Sequence, residues 1–156
     1  MPSTTIEDAA GTMAALDIGS GAGFPGLVLA IMGVRPMNLV EVDARKCAFL
    51  REAARVAGLA LGRDVVIHNR RLEAVTPFAA DLVSARAVAS LDALLRLAQP
   101  FLRSGSIALF HKGIRVDEEL TQAAKTWRMR VKRFPSRSDP SGTILRLTEV
   151  ERDRCR

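Results

Sequence analysis

The segment Ala15-Leu16-Asp17-Ile18-Gly19-Ser20-Gly21-Ala22-Gly23-Phe24-Pro25-Gly26 constrains the fold more than any other. A short apolar run carrying an acid opens into glycines at alternate positions. The pattern predicts a buried strand with a carboxylate near its end, then a loop where a ligand can press against bare backbone. Leu27-Val28-Leu29-Ala30-Ile31-Met32 follows and reads as a buried helix, with Pro25 suited to its first turn. A strand, a glycine-rich turn and a helix N-terminus in that order make a nucleotide site.

Apolar runs and helical patterns alternate along the rest of the chain. Strands are predicted at 38–42, 65–68, 81–84 and 106–110. Between them come a helix over 44–57, with Cys47, Leu50, Ala54 and Ala57 on one face and Gly58 as its stop, and a helix capped by Ser90. Residues 116–127 read as a further amphipathic helix ending at Trp127, and 100–105 as a turn. Two β-like stretches, 129–134 and 143–150, flank the turn Asp139-Pro140-Ser141-Gly142. Strands separated by helices call for an α/β fold with a mostly parallel sheet, and the last two for an antiparallel C-terminal hairpin. One domain over 1–156 is expected, with its core over about 15–150 and a basic tail at 151–156.

Composition limits the alternatives. No apolar run approaches the roughly 20 residues that cross a bilayer, and the N-terminus has neither a basic start nor an apolar signal core. A cytoplasmic protein without membrane contact is expected. Cys47 and Cys155 lack metal-ligand spacing, so free thiols and no metal are expected. Net charge is +6, and residues 125–156 hold ten Lys/Arg against four Asp/Glu, leaving the remainder neutral. Such asymmetry suits a polyanion, though a solvated edge strand and charged tail account for it equally well.

Two ligand classes compete for the loop. Gly21-Ala22-Gly23-Phe24-Pro25-Gly26 satisfies G-x-G-x-x-G, with Glu41 about 20 residues further on, as in dinucleotide sites. The predicted strand, however, ends at Ile18, so Gly19 already belongs to the loop. Read as acid-x-Gly-x-Gly-x-Gly from Asp17 to Gly23, the segment matches the S-adenosylmethionine site of class I methyltransferases. There Asp17 could hold a cationic amino-acid group directly or through water. Glu41, at the end of the second strand, suits ribose hydroxyls in either class. Length favours the methyltransferase, since nothing remains for a second nucleotide-binding half.

Beyond that class, the chain resembles the bacterial 16S rRNA guanine-N7 methyltransferases of the RsmG/GidB family from about Ala15 to Val150. The ordered pieces are the loop through Phe24-Pro25-Gly26, Leu39-Val40-Glu41, Arg45-Lys46, Phe49-Leu50-Arg51, Arg71-Leu72-Glu73, Ser84-Ala85-Arg86-Ala87, Lys112-Gly113 and Glu118-Glu119. The resemblance implies S-adenosylmethionine as cofactor, with contacts at Gly19, Phe24, Leu72, Glu73 and Arg86, and Glu41 on the ribose. Asp17, Gly21 and Gly23 complete the expected cofactor site. The implied substrate is N7 of one guanine in the 530 loop of 16S rRNA, met on the small ribosomal subunit by a monomer. Arg86 and Lys112 are the candidate catalytic residues, Arg86 as a clamp near the cofactor and Lys112 as either a phosphate contact or a strand cap. His68, His111 and Trp127 are expected to be structural.

The sequence departs from the family at two places. Only about 14 residues precede Ala15, where relatives carry several helices. A core without that cap is expected to hold its cofactor more exposed to water. Gly142-Thr143 stand where many relatives have an arginine. A catalytically weak RNA-binding relative and a small-molecule methyltransferase remain the alternatives.

Overall fold

The computed structural model describes residues 13–86 and 88–154, so the expectation for Cys155 lies outside the described residues. Seven strands form one sheet: β1 (Ala15–Ile18), β2 (Met37–Val40), β3 (Val65–His68), β4 (Ala80–Arg86), β5 (Leu102–Lys112), β6 (Trp127–Pro135) and β7 (Thr143–Arg152), in the order β3-β2-β1-β4-β5-β7-β6. β1 to β5 run parallel, and β7 is antiparallel to both of its neighbours. The chain moves outward from β1 to β3, then returns to the other side at β4. That reversal leaves a crevice over the carboxyl ends of β1 and β4, where open α/β sheets bind ligands.

Both faces of the sheet are covered, so β1 is buried along its whole length and is apolar apart from Asp17. One face packs against α1 (Gly26–Ile31) and α2 (Ala44–Val56), through Leu27, Ala30, Leu50 and Ala54. The other carries α3 (Leu91–Ala98) and α4 (Val116–Ala123), burying Leu94, Leu95, Phe110, Leu145 and Leu147. Caps set the helix starts. Asp43 accepts from the amides of Arg45 and Lys46 at 2.8 and 3.1 Å, and Ser90 from that of Ala93 at 3.4 Å.

Five expectations are corrected. The helix after the glycine loop buries one face only, with Val28, Ile31 and Met32 exposed. Ala57 is an exposed C-cap residue and not part of the packed face of α2. The helix predicted to end at Trp127 stops at Ala123, and Trp127 instead begins β6. Its indole is buried there and donates to Asp92 Oδ1 at 2.9 Å, a tie to α3 that a continued helix would not make. The predicted turn at 100–105 is a single 3₁₀ turn, Gln99–Phe101, followed by an irregular start to β5. Ser106 closes that irregularity by donating to Ala80 O at 2.6 Å and accepting from Arg103 N at 2.8 Å. β7 also runs two residues into the expected tail.

Candidate active site

The glycine loop is clamped by acids from beside and from below. Glu41, one residue past β2 and 8% exposed, accepts from Gly21 N at 2.8 Å and from Asp43 N at 3.0 Å with its two oxygens. A single side chain thereby fixes the loop after β1 against the loop after β2. Asp17 lies underneath at 1% exposure, taking a 2.7 Å hydrogen bond from Ser84 Oγ on Oδ1 and leaving Oδ2 buried without a partner. Burial pushes its carboxyl pKa up, and the bond from Ser84 opposes that rise. Asp17 thus supports the loop from beneath.

The glycines divide by what surrounds them. At Gly26 a Cβ would stand 2.6 Å from Asp17 Cβ and Cγ, so glycine is required for α1 to close over the carboxylate. Gly21, at φ +54°, has only Gly19 O within reach at 3.9 Å, so its α-carbon faces open space. The bare backbone expected for a ligand is therefore at Gly21. Gly23 is enclosed by Leu27 and Leu50, and Gly19 by the side chain of Val88.

Across the crevice stand Arg86, the last residue of β4, and Phe24 from the loop. The exposed Arg86 guanidinium lies 5.9 Å from the centre of the Phe24 ring, forms no ion pair within 4 Å among the described residues, and acts on the Asp17 carboxylate from farther away. His111 is beside Arg86 in the sheet, and burial and then the Arg86 charge push its pKa down. Lys112 is enclosed, its side chain 5% exposed. The ammonium donates to Ala89 O at 2.7 Å and pairs with Glu119 at 2.7 Å, and Glu119 also accepts from Leu91 N at 2.8 Å. These contacts tie the end of β5 to the loop after β4 and to α4. Leu72 and Glu73 form a 3₁₀ turn after β3, with Leu72 in the core and Glu73 exposed. Asn69 brings that segment beside Glu41 by donating to the carbonyls of Glu41 and Val42.

A cavity of about 840 Å³ opens past Phe24 and Arg86, with His111, Gly142, Thr143 and Ile144 on its wall. Gly142-Thr143 thus border the space next to the crevice. The structure draws Asp17, Gly21, Glu41, Arg86 and Phe24 together around the loop and sets Lys112 at the edge of the cavity. Sequence reasoning missed Ser84 and Asn69 as site residues, although a serine interrupting an apolar run was a visible signal. His68, bonded to Asn38 Oδ1 at 2.9 Å, lies within the sheet and away from the cavity. No group of His, Cys, Asp and Glu among the described residues is placed to hold a metal, and no described helix is long and apolar enough to cross a membrane.

Known proteins resemble this chain at both levels. The family model GidB, described as rRNA small subunit methyltransferase G, matches residues 3–141. A ribosomal RNA small subunit methyltransferase G from Rhodospirillum centenum is 56% identical over 140 residues, covering 90% of this chain and 63% of that protein. One from Rhodospirillum rubrum is 54% identical over 141 residues, covering 90% and 68%. The chain thus spans about two thirds of the length of these relatives. Among solved structures, a ribosomal protein L11 methylase from Lactobacillus delbrueckii subsp. bulgaricus superimposes with TM-score 0.73 at 15% identity, over 94% of this chain and 73% of that one. A SAM-dependent O-methyltransferase from Thermotoga maritima gives 0.70 at 15% identity, over 94% and 63%. At that identity the likeness shows the fold, a Rossmann-like methyltransferase sheet with antiparallel C-terminal strands.

Proposed function

The chain belongs to the GidB family, rRNA small subunit methyltransferase G, and from that premise we propose that it methylates N7 of a guanine in 16S rRNA with S-adenosylmethionine. When bound, the cofactor supplies an electrophilic methyl group on a cationic sulfur. Guanine N7 carries an unprotonated lone pair, so the chain needs no general base. Its residues have only to bind, align and exclude water.

The observation that carries this reading is the Glu41–Gly21 clamp, open above Gly21 and flanked by Arg86 and Phe24. Each Glu41 oxygen holds one amide and keeps a lone pair for ribose hydroxyls. Arg86 makes no direct ion pair among the described residues and can receive the carboxylate of the methionyl group. Such a donor and acceptor set fits a nucleoside bearing an amino acid. Leu72 and Glu73 border the base by family resemblance, while Gly19, Gly23 and Asp17 hold the loop in shape. The cavity beside Arg86 takes the guanine, and Lys112 secures its edge through Ala89 and Glu119. In this reading a single copy of the chain meets the small ribosomal subunit in the cytoplasm.

Two measurements test the proposal together. Calorimetry should show S-adenosylmethionine binding near micromolar affinity, on the order of 8 kcal/mol. Incubating the chain and cofactor with under-methylated small subunits should create a site of chemical cleavage at 7-methylguanosine. Binding of a nicotinamide dinucleotide in place of S-adenosylmethionine would sink the proposal, and RNA binding without any cofactor uptake would favour the non-catalytic relative.

A further inference from the structure

Four cations stand on one rim of the crevice without an ion-pair partner among the described residues. Arg45 and Lys46 begin α2 just past β2, and Arg70 and Arg71 follow β3. All four are exposed, and among the described residues none of their side chains enters an ion pair or hydrogen bond. β2 and β3 run side by side with Val40 next to His68, and the bonds from Asn69 to Glu41 and Val42 join the loops that follow them. The four side chains therefore spring from adjoining backbone. The acids nearby keep their charge but form no ion pair with any of the four. Asp43 directs Oδ1 to the amides of Arg45 and Lys46, Glu41 is buried on its own amides, and Glu52 is held by Arg55, which leaves Glu73.

The C-terminal hairpin carries more basic residues, and three of them are answered locally. Arg128 pairs with Asp153, Arg130 with Glu149 and Arg133 with Asp117. Counting charge along the chain places the whole excess in this region, where Lys132, Arg137 and Arg146 enter no ion pair among the described residues, and the structure adds the β2–β3 rim as a second group of unpaired cations close to the crevice.

We propose that the rim formed by Arg45, Lys46, Arg70 and Arg71 is a docking surface for the phosphodiester backbone of the RNA substrate. The inference rests on the RNA reading above and assigns it a surface. Cations without carboxylate partners gain most from displacing counterions on phosphate. From β3 to β5 the sheet order leaves four strand spacings, about 19 Å. An RNA held at the rim thus lies across the crevice and delivers a base to the cavity beyond Arg86.

The test compares two variants of the full chain, R45Q/K46Q/R70Q/R71Q and R128Q/R130Q/R133Q, binding an in vitro transcript of small-subunit ribosomal RNA at several salt concentrations. The rim variant should lower the slope of log affinity against log salt by about 3, and the hairpin variant by less than about 1. The double variant R45Q/K46Q should give about half of the rim effect and guards against misfolding of the fourfold one. Thermal unfolding and S-adenosylmethionine binding should stay at parental values in all of them. If the hairpin variant loses as much slope as the rim variant, or more, the rim assignment is overturned. Parental RNA binding with unchanged rim variants removes the rim alone, while absence of salt-dependent binding by the parent removes the RNA reading as well.

Discussion

The tips of β1 and β2 and the β6–β7 hairpin belong to one sheet but are held together by opposite means. At the tips, enclosed carboxylates meet backbone amides and a buried serine: Glu41 on Gly21 and Asp43, Asp17 on Ser84. Along the hairpin, arginines meet carboxylates in water, as in Arg130 with Glu149, whose side chains are 76% and 63% exposed. A buried polar group that loses its partner bears the full cost of desolvation, about 1–3 kcal/mol, whereas an exposed pair contributes about 0–1. The crevice therefore depends on a few individual atoms, whereas the surface pairs of the hairpin tolerate exchange.

The most severe way to probe that contrast is Gly26→Ala. Its Cβ would fall 2.6 Å from Asp17 Cβ and Cγ, inside a packed strand-to-helix junction where neither backbone can yield cheaply. The expected loss is about 3 kcal/mol, or about 6–12 °C in Tm, with S-adenosylmethionine binding abolished or severely weakened. Unfolding at parental temperature would show that α1 can lift away from Asp17 and that the junction is soft. A step smaller is Glu41→Gln. The amide keeps one acceptor but turns an NH₂ toward a second backbone N–H, setting donor against donor at Gly21 or Asp43. About 2 kcal/mol of stability should go, together with at least tenfold in cofactor affinity by calorimetry. Retained affinity would mean that the ligand site does not use this carboxylate.

The same contrast governs what could be read from the chain. β3 and α3 were legible because each is decided locally, the one by a short apolar run, the other by Ser90 followed by apolar residues at helical spacing. Trp127 misled because Leu120 and Trp127 satisfy a helical period, while the bond that removes Trp127 from the helix goes to Asp92, 35 residues away. Asp17 and Glu41 were visible as acids at strand ends. Their partners were not, since Ser84 is 67 residues from Asp17 and Gly21 is 20 from Glu41, distances bridged only by sheet order. The charge of the hairpin was counted correctly, but a count does not show which of its arginines are paired. Which arginines are neutralised depends on strand pairing and on α4 lying within reach of β6, neither of which a running total contains.

The mildest probe belongs to the hairpin. Glu149 has φ +53°, the left-handed region that costs a non-glycine residue about 1–2 kcal/mol, and it lies beside the irregularity in β6–β7 pairing. Glu149→Gly removes that cost and also removes the pair with Arg130, worth about 0.2–1 kcal/mol when exposed. Glycine adds an ordering penalty of about 0.5–1 kcal/mol on folding. These effects nearly cancel, so Tm should move by no more than about 2 °C in either direction, and cofactor affinity should not change. A fall of Tm comparable to that of Glu41→Gln would mean that surface pairs brace the hairpin as tightly as enclosed bonds brace the crevice, and the division between the two regions would disappear.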